Sequence, residues 1–286
     1  MLTLMTLFQT ARKRGRPFKK YLLPAWLALQ ENRIWQSSCA FLKNRRPPRQ
    51  VHAFSVGLPK TGTTSIAKMM VCNSAHEPET HTLLHIHDRH LAGLMTPIDQ
   101  ARVLRARDSV LWLELESNHM FGLVIDALVL AFPEAKFILT VREPRSWLES
   151  QINQHYEQGH IEPFRTAYKR MYGGVPTSTY DEKLTSKGLY GVSGYLQHWG
   201  AQNRKVLASV PNDKLKVVWT HHITEQADEI AEFLGLDSVE QVNAHRNRRP
   251  NKKLILDDLV DPGYLRDQIA YYTEDAAAEL RSWRPE

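Results

Sequence analysis

Apolar residues in this chain fall into a few short continuous runs, separated by longer stretches in which they recur every three or four positions. The runs lie at about 51–57, 110–115, 136–142 and 214–219, which is the length of strands buried on both faces. The helical recurrence marks 63–72, 118–132, 144–158, 188–209, 224–235 and 263–282. Strands alternating with helices imply a parallel sheet covered on both sides, so the expected fold is α/β, a three-layer sandwich with a central parallel sheet. The first fifty residues stand outside this alternation. They predict a basic helical arm and linker over 1–50, closing in Arg45-Arg-Pro-Pro-Arg49, ahead of one domain over 51–286 that ends in a helix. No internal repeat or low-complexity tract interrupts it.

The first strand–helix junction carries the most chemistry. Val51 to Val56 runs into Gly57-Leu-Pro-Lys-Thr-Gly62, and Thr63-Thr-Ser65 opens a helix with Ile66, Met69 and Met70 spaced for a buried face. A strand, loop and helix start in this order aim the N–H groups of Gly62, Thr63 and Thr64 at a ligand, and the helix dipole favours an anion there. The ligand class is a phosphate or a sulfate; the bland alternative is a Gly-rich turn with no chemical role. A nucleotide P-loop reads G-x-x-x-x-G-K-[ST], its lysine following the second glycine. Gly57 and Gly62 keep that separation, but Thr63 takes the lysine position and Lys60 comes two residues before Gly62. A cation there sits at the mouth of the loop, beside the terminal group of a bound anhydride.

A second junction runs Ala135-Lys-Phe-Ile-Leu-Thr-Val-Arg-Glu-Pro-Arg-Ser-Trp-Leu-Glu-Ser150. Arg142 lies at the carboxyl end of the strand, the ligand edge of an open α/β sheet, and Pro144 suits a first helical turn. Taken alone, Arg142 would pair with Glu143 or Glu149 on the surface; beside the first loop, its planar fork suits phosphate oxygens.

Together, Pro59-Lys-Thr-Gly-Thr-Thr-Ser65 and the Arg142/Ser150 spacing of eight resemble sulfotransferases that use 3′-phosphoadenosine 5′-phosphosulfate (PAPS). The resemblance covers about residues 50–250 and implies their P-loop NTPase-like sulfotransferase core. It implies transfer of a sulfuryl group to an acceptor hydroxyl on a carbohydrate, glycolipid or small metabolite, with 3′,5′-adenosine bisphosphate as product. Lys60, Thr61, Gly62, Thr63, Thr64 and Ser65 would hold the 5′-phosphosulfate, and Arg142 with Ser150 the 3′-phosphate. Relatives close a basic loop over the 3′-phosphate and adenine, which falls on Arg248 and Arg249 within His245-Arg-Asn-Arg-Arg-Pro-Asn-Lys-Lys253. Because the donor arrives activated, no metal is required.

Relatives take the acceptor proton with a glutamate shortly after the loop's helix, or with a histidine. On that stretch this chain has Ser74-Ala-His-Glu-Pro-Glu79, so Glu77 is the first choice of base, His76 the second and Glu79 the third. A carboxylate suits the task where partial burial raises its pKa; the alternative is a solvated loop of ordinary charges. Leu111 to His119 reads as a strand whose polar end brings Glu116, Ser117 and His119 to the same edge, though Ser117 and Asn118 are also good helix caps. His76, His81, His85, His87 and His90 crowd together near Asp88 but match no zinc spacing. Tyr195 reads equally as a ligand contact or a packing ring.

Charge and cysteine content narrow the class only a little. A net charge of +6 on 286 residues suits a polyanionic ligand, nucleic acid included. Cys39 and Cys72 are too few for a disulfide framework, which points to a reduced, cytoplasmic protein. The run from Tyr21 to Leu29 is too short to span a bilayer and lacks a signal-peptide cleavage site. With Arg12, Lys13, Arg14, Arg16, Lys19 and Lys20 before it, the arm suits peripheral contact with an anionic membrane, or equally packing on the domain. Two other classes compete. A nucleotide-dependent kinase is opposed by the displaced lysine and by the lack of an acidic strand end for Mg²⁺. A non-catalytic binder of nucleic acid or membrane leaves Arg142 and Ser150 without a purpose. Oligomeric state is not encoded in any of these patterns.

Overall fold

A computed structural model describes residues 25–159, 164–237, 239 and 254–283. In chain order its helices are α1 Arg33–Lys43, α2 Thr63–Met69, α3 Thr80–Leu91, α4 Pro97–Leu111, α5 Ile125–Ala131, α6 Pro144–Gln158, α7 Phe164–Tyr172, α8 Glu182–Thr185, α9 Val192–Ser209, α10 Ala227–Leu234, α11 Leu256–Leu259 and α12 Pro262–Arg281. The strands are β1 Ala53–Ser55, β2 Ser74–His76, β3 Leu115–Ser117, β4 Lys136–Val141 and β5 Leu215–Trp219. The chain groups into two compact units. One comprises Met1–Pro48 with His85–Trp112, the other Arg49–Leu84 with Leu113–Glu286. Nothing in the apolar pattern suggests that 85–112 groups with the N-terminal segment.

The first unit is built on α1 and α4, whose inner faces share a core of Trp26, Trp35, Cys39, Ala106 and Val110. Thr96 and Asp99 form a capping box at the start of α4, with Pro97 at its first position. That strong start carries the helix to Leu111, where Trp112 turns left-handed (φ 52°) and its indole N–H donates to the Pro47 carbonyl at 3.0 Å. The strand expected at 110–115 is therefore corrected: its first residues end a helix, and β3 begins at Leu115.

The second unit holds an all-parallel sheet in the order β2-β3-β1-β4-β5. From β1 the chain moves toward one edge to make β2, then returns through β3 to β4 and β5. Right-handed crossovers in opposite directions place helices on opposite faces, as expected of a three-layer sandwich. On one face α2 and α10 pack Ile66, Met69, Ile230 and Leu234 against Ala53, Ile138 and Val218. On the other, Phe54 meets Phe121, Phe132 and Phe137 at ring-centre distances of 5.2–5.9 Å. Alternation along β1 sends Ala53 and Phe54 to these two faces. The helix expected over 118–132 is split into a 3₁₀ turn, His119–Val124, followed by α5. The pattern did not show β2, whose three residues are half-buried and include the polar Ser74 and His76; it exists because Ser74, Ala75 and His76 pair with Leu115, Glu116 and Ser117.

Candidate active site

Five parallel strands end at one edge of the sheet, and every strand end contributes to a single polar cluster there. The loop after β1 is held from beneath. Gly57 lies so close to Thr140 that any Cβ would collide with its hydroxyl and carbonyl. The Thr61 hydroxyl lies 2.6 Å from the Leu58 carbonyl and 2.7 Å from Thr140 Oγ1. Trp147, fully buried on α6, donates its indole N–H to the Pro59 carbonyl at 2.9 Å. Thr220, after β5, places its hydroxyl 2.7 Å from the Thr61 carbonyl and 2.9 Å from that of Val141. Gly62 adopts φ 102°, a left-handed geometry that favours glycine, and opens α2 with no side-chain cap. Because no side chain caps that end, an anionic ligand can take its first N–H groups.

Arg142 leaves the end of β4 toward the same loop. Its Nη1 lies 3.4 Å from the Lys60 carbonyl, its Nε donates to Ser146 Oγ at 3.1 Å, and its own carbonyl accepts the buried Trp199 indole N–H at 3.1 Å. The loop and Arg142 are thus one assembly. Ser150 sits half-buried on α6, one turn beyond the Ser146 that Arg142 contacts. Sequence reasoning missed Thr140, Ser146, Trp147, Trp199 and Thr220; all but Ser146, four positions from Arg142, act through tertiary contacts with no local signal.

The third part joins β2, β3 and α2. His76 Nε2 lies 3.2 Å from Thr63 Oγ1 and 3.1 Å from Thr64 Oγ1. Its neighbour Glu77 accepts a 2.5 Å hydrogen bond from Nδ1 of His119, while Glu77 Oε1 is 3.5 Å from His76 Nε2. His119 Nε2 is buried and has no hydrogen-bond partner among the described residues. Ser117 donates to the Thr63 carbonyl at 2.9 Å, and Asn118 caps the 3₁₀ turn by accepting from the Met120 N–H. Lys60, Glu77 and Glu79 all have left-handed backbones, at φ 68°, 54° and 49°, and only Trp112 shares that feature among the described non-glycine residues. Such conformations cost on the order of 1 kcal/mol each and persist where surrounding structure imposes them, commonly at functional sites.

One expectation about Glu77 is corrected by its surroundings. Burial does push its carboxyl up, but the His119 hydrogen bond and the nearby imidazoles of His119 and His76 outweigh it and hold the group below its ordinary value. His76 is lowered chiefly by burial, against the pull of Glu77. The carboxyl is thus held charged rather than made more basic.

The remaining sequence readings scatter. Tyr195 is fully buried with its hydroxyl 2.9 Å from His155 Nδ1, a packing ring. The histidine run disperses: His81 stacks on Phe164, His85 meets Glu31 at 2.6 Å, and His90 meets the Met95 carbonyl. Among the described residues no group of three His, Cys, Asp or Glu is placed to hold a metal ion. No described helix is long and apolar enough to cross a membrane. Arg248 and Arg249 lie outside the described residues.

A parallel sheet whose carboxyl edge gathers a capless glycine turn, a lysine and an arginine defines an anion-handling α/β protein. The family model described as "Sulfotransferase domain" matches residues 52–250, and the chain belongs to that family. It is therefore of the class of enzymes that transfer sulfuryl groups. Among solved structures it is similar to a sulfotransferase from Alicyclobacillus acidocaldarius, at 15% identity and a TM-score of 0.43, covering 81% of this chain and 94% of that one. It is also similar to the sulfotransferase domain of the Synechococcus PCC 7002 olefin synthase, at 15% identity and a TM-score of 0.42, covering 84% and 98%. No curated protein sequence matches it.

Proposed function

We propose that this protein moves a sulfuryl group from PAPS to an acceptor hydroxyl, with His119 as the base and Glu77 as the residue that positions it. The observation that carries the reading is a continuous polar chain. It runs from the Thr63 and Thr64 hydroxyls of the anion loop through His76 and Glu77 to His119, with steps of 3.2, 3.1, 3.5 and 2.5 Å. Donor loop and proton acceptor are thereby linked through side chains.

The residues present fit a donor carrying phosphates and a sulfate. Lys60, Arg142, the two threonine hydroxyls and the uncapped turn at Gly62 supply cations and donors at one strand edge. Thr61 supports the loop from below, and Ser65 follows on α2. Ser150, with Arg248 and Arg249 beyond the described residues, remains assigned to the 3′-phosphate by family resemblance. When bound, PAPS supplies an activated sulfuryl group, so the protein's tasks are alignment, charge stabilisation and proton removal. Lys60 and the loop amides meet the negative charge left on the departing phosphate. Glu77 holds the Nδ1–H of His119, which leaves Nε2 as the proton acceptor, and its charge stabilises the imidazolium that forms.

For the acceptor, the candidate contacts are the rings gathered on α7. Phe164 and Tyr168, one turn apart on α7, stack at 5.9 Å, and Phe164 also meets His81 at 5.4 Å. The Tyr168 hydroxyl is pushed up to about 12, first by burial and then by the charge of Glu77. Flat ring faces of this kind suit a sugar ring or another cyclic alcohol better than an extended chain.

Calorimetry with 3′,5′-adenosine bisphosphate, ATP and GTP tests the donor. Binding of the bisphosphate without Mg²⁺ is expected. If ATP with Mg²⁺ binds and the bisphosphate does not, the chain is a kinase-like enzyme and the donor assignment fails.

A further inference from the structure

We infer that the unit containing the described residues 25–48 and 85–112 docks the protein on an anionic lipid bilayer. The inference stands independently of the donor, base and acceptor assignments. Its first support is charge. The described residues of this unit contain 8 Lys and Arg against 4 Asp and Glu, and six further cations stand in the sequence at 12–20, outside the described residues, whereas the rest of the chain beyond Pro48 and outside 85–112 contains 23 against 27. The whole positive surplus of the protein therefore belongs to these residues, and the remainder is net acidic. Among its acids, Glu31 pairs with Arg89 at 3.1 Å and Asp99 with Arg102 at 2.7 Å.

The second support is apolar exposure in the same unit. Ile34, Phe41, Leu91, Leu94 and Ile98 are 79, 58, 56, 61 and 55% exposed. These are not core residues that failed to pack, because the unit has its own core around Trp26, Trp35 and Cys39. On α1, Ile34 and Phe41 lie two turns apart on one side, about 100° or more around the axis from Trp35 and Cys39. Helices α1 and α4 run in the same direction: near their closing ends Arg46 Nη2 reaches the Val110 carbonyl at 3.4 Å, and Trp35 and Cys39 share a core with Ala106 and Val110. Ile34 and Ile98 thus share the starting end of the pair. Leu94, in the tight turn closed by its N–H on the Arg89 carbonyl at 2.9 Å, leads into that same end. Arg45 lies over the Phe41 ring at 4.6 Å, a cation resting on an exposed aromatic face.

Cations alone would suit nucleic acid or lipid equally. Aliphatic side chains and a phenyl ring gain nothing from a phosphodiester backbone in water, but they enter the acyl boundary of a bilayer while neighbouring arginines and lysines meet its headgroups. The combination selects an anionic membrane.

Flotation of the full chain with phosphatidylcholine vesicles, with and without phosphatidylserine, tests this. The protein should rise only with the serine lipid, and high salt should release it. The Ile34→Asp/Phe41→Asp double variant should lose about tenfold or more of its partitioning. Its melting temperature and its affinity for 3′,5′-adenosine bisphosphate should match wild type. Leu94→Asp/Ile98→Asp repeats the test on a second element, should the first pair unfold. The inference is overturned if wild type stays down with anionic vesicles, if it binds neutral vesicles equally well, or if both double variants float like wild type. Capture by a short DNA duplex in place of vesicles would make the unit a nucleic-acid binder instead.

Discussion

The anion loop and the Glu77–His119 pair lie at the same sheet edge but are held in opposite ways. The loop between Gly57 and Gly62 is fixed by backbone geometry and buried partners: a blocked Cβ position at Gly57, a left-handed Gly62, the Trp147 indole on Pro59, and hydroxyls of Thr140 and Thr220. The pair is joined by a 2.5 Å side-chain hydrogen bond and leans on His76 at 3.5 Å, with the Glu77 side chain one-third exposed. One region is rigid and close-packed, the other electrostatic and adjustable. That division suits sulfuryl transfer, where the charged donor must be held still and the proton acceptor must adapt to the arriving hydroxyl.

The comparison breaks first at Lys60. Replacing it by alanine removes the cation at the loop mouth without touching the buried supports, so turnover should fall by about 10³-fold while the fold stays intact. Steady-state assays beside thermal melts measure both, and undiminished turnover would remove the loop from the chemistry. His119→Ala is the matching test on the adaptable side, with an expected loss of about 10²-fold or more. Glu77→Gln keeps the hydrogen-bond geometry and loses the charge, so about a tenfold loss is expected. The double variant should be no worse than His119→Ala alone, because Glu77 acts through His119. A Glu77→Gln protein as inactive as His119→Ala, with a double variant worse than either, would return the proton to the carboxylate.

The same contrast explains what the sequence revealed. The loop spans six residues, and its glycine spacing, lysine and hydroxyls are local, so it is legible without a structure. Strands β1, β4 and β5 and helices α6, α9, α10 and α12 were equally plain from their apolar runs. The pair is not local: Glu77 and His119 are 42 positions apart and meet only because β2 pairs with β3. Strand β2 has no apolar signature, so the site lost the element that orients it. His119 was visible as a strand-end residue, but nothing in the sequence linked it to Glu77. Thr220 and the two indoles are more remote still, contributing hydroxyl and N–H groups to carbonyls 57 to 159 residues away.

A smaller effect separates binding from chemistry inside the rigid region. Arg142 reaches the Lys60 carbonyl and Ser146, both on the donor-loop side of the site. Arg142→Ala should therefore weaken bisphosphate affinity by about 10- to 100-fold, the scale of one charged hydrogen-bonded contact, with much less effect on turnover at donor saturation. Calorimetry and a donor titration read the two separately. A loss confined to saturated turnover would place Arg142 in the chemical step.

The smallest expected effect tests whether the pair is electrostatic at all. Glu77 and His76 are both held below their ordinary values in the folded protein, so the unfolded chain binds protons first on acidification. Stability should then fall as pH drops: the His76 contribution is full above 6.5 and is lost below it, and the Glu77 contribution is full above 4.5 and is lost below it. Glu77→Gln should flatten the lower part of this dependence. Trp147→Phe, which removes only a neutral donor to the loop, should lower stability by about 1 kcal/mol at every pH without changing the slope. Melting temperatures of the three proteins between pH 7 and pH 4 make the comparison. Parallel curves for wild type and Glu77→Gln below 4.5 would mean that Glu77 gains nothing from its two imidazoles, and the positioning role assigned to it would fail with that result.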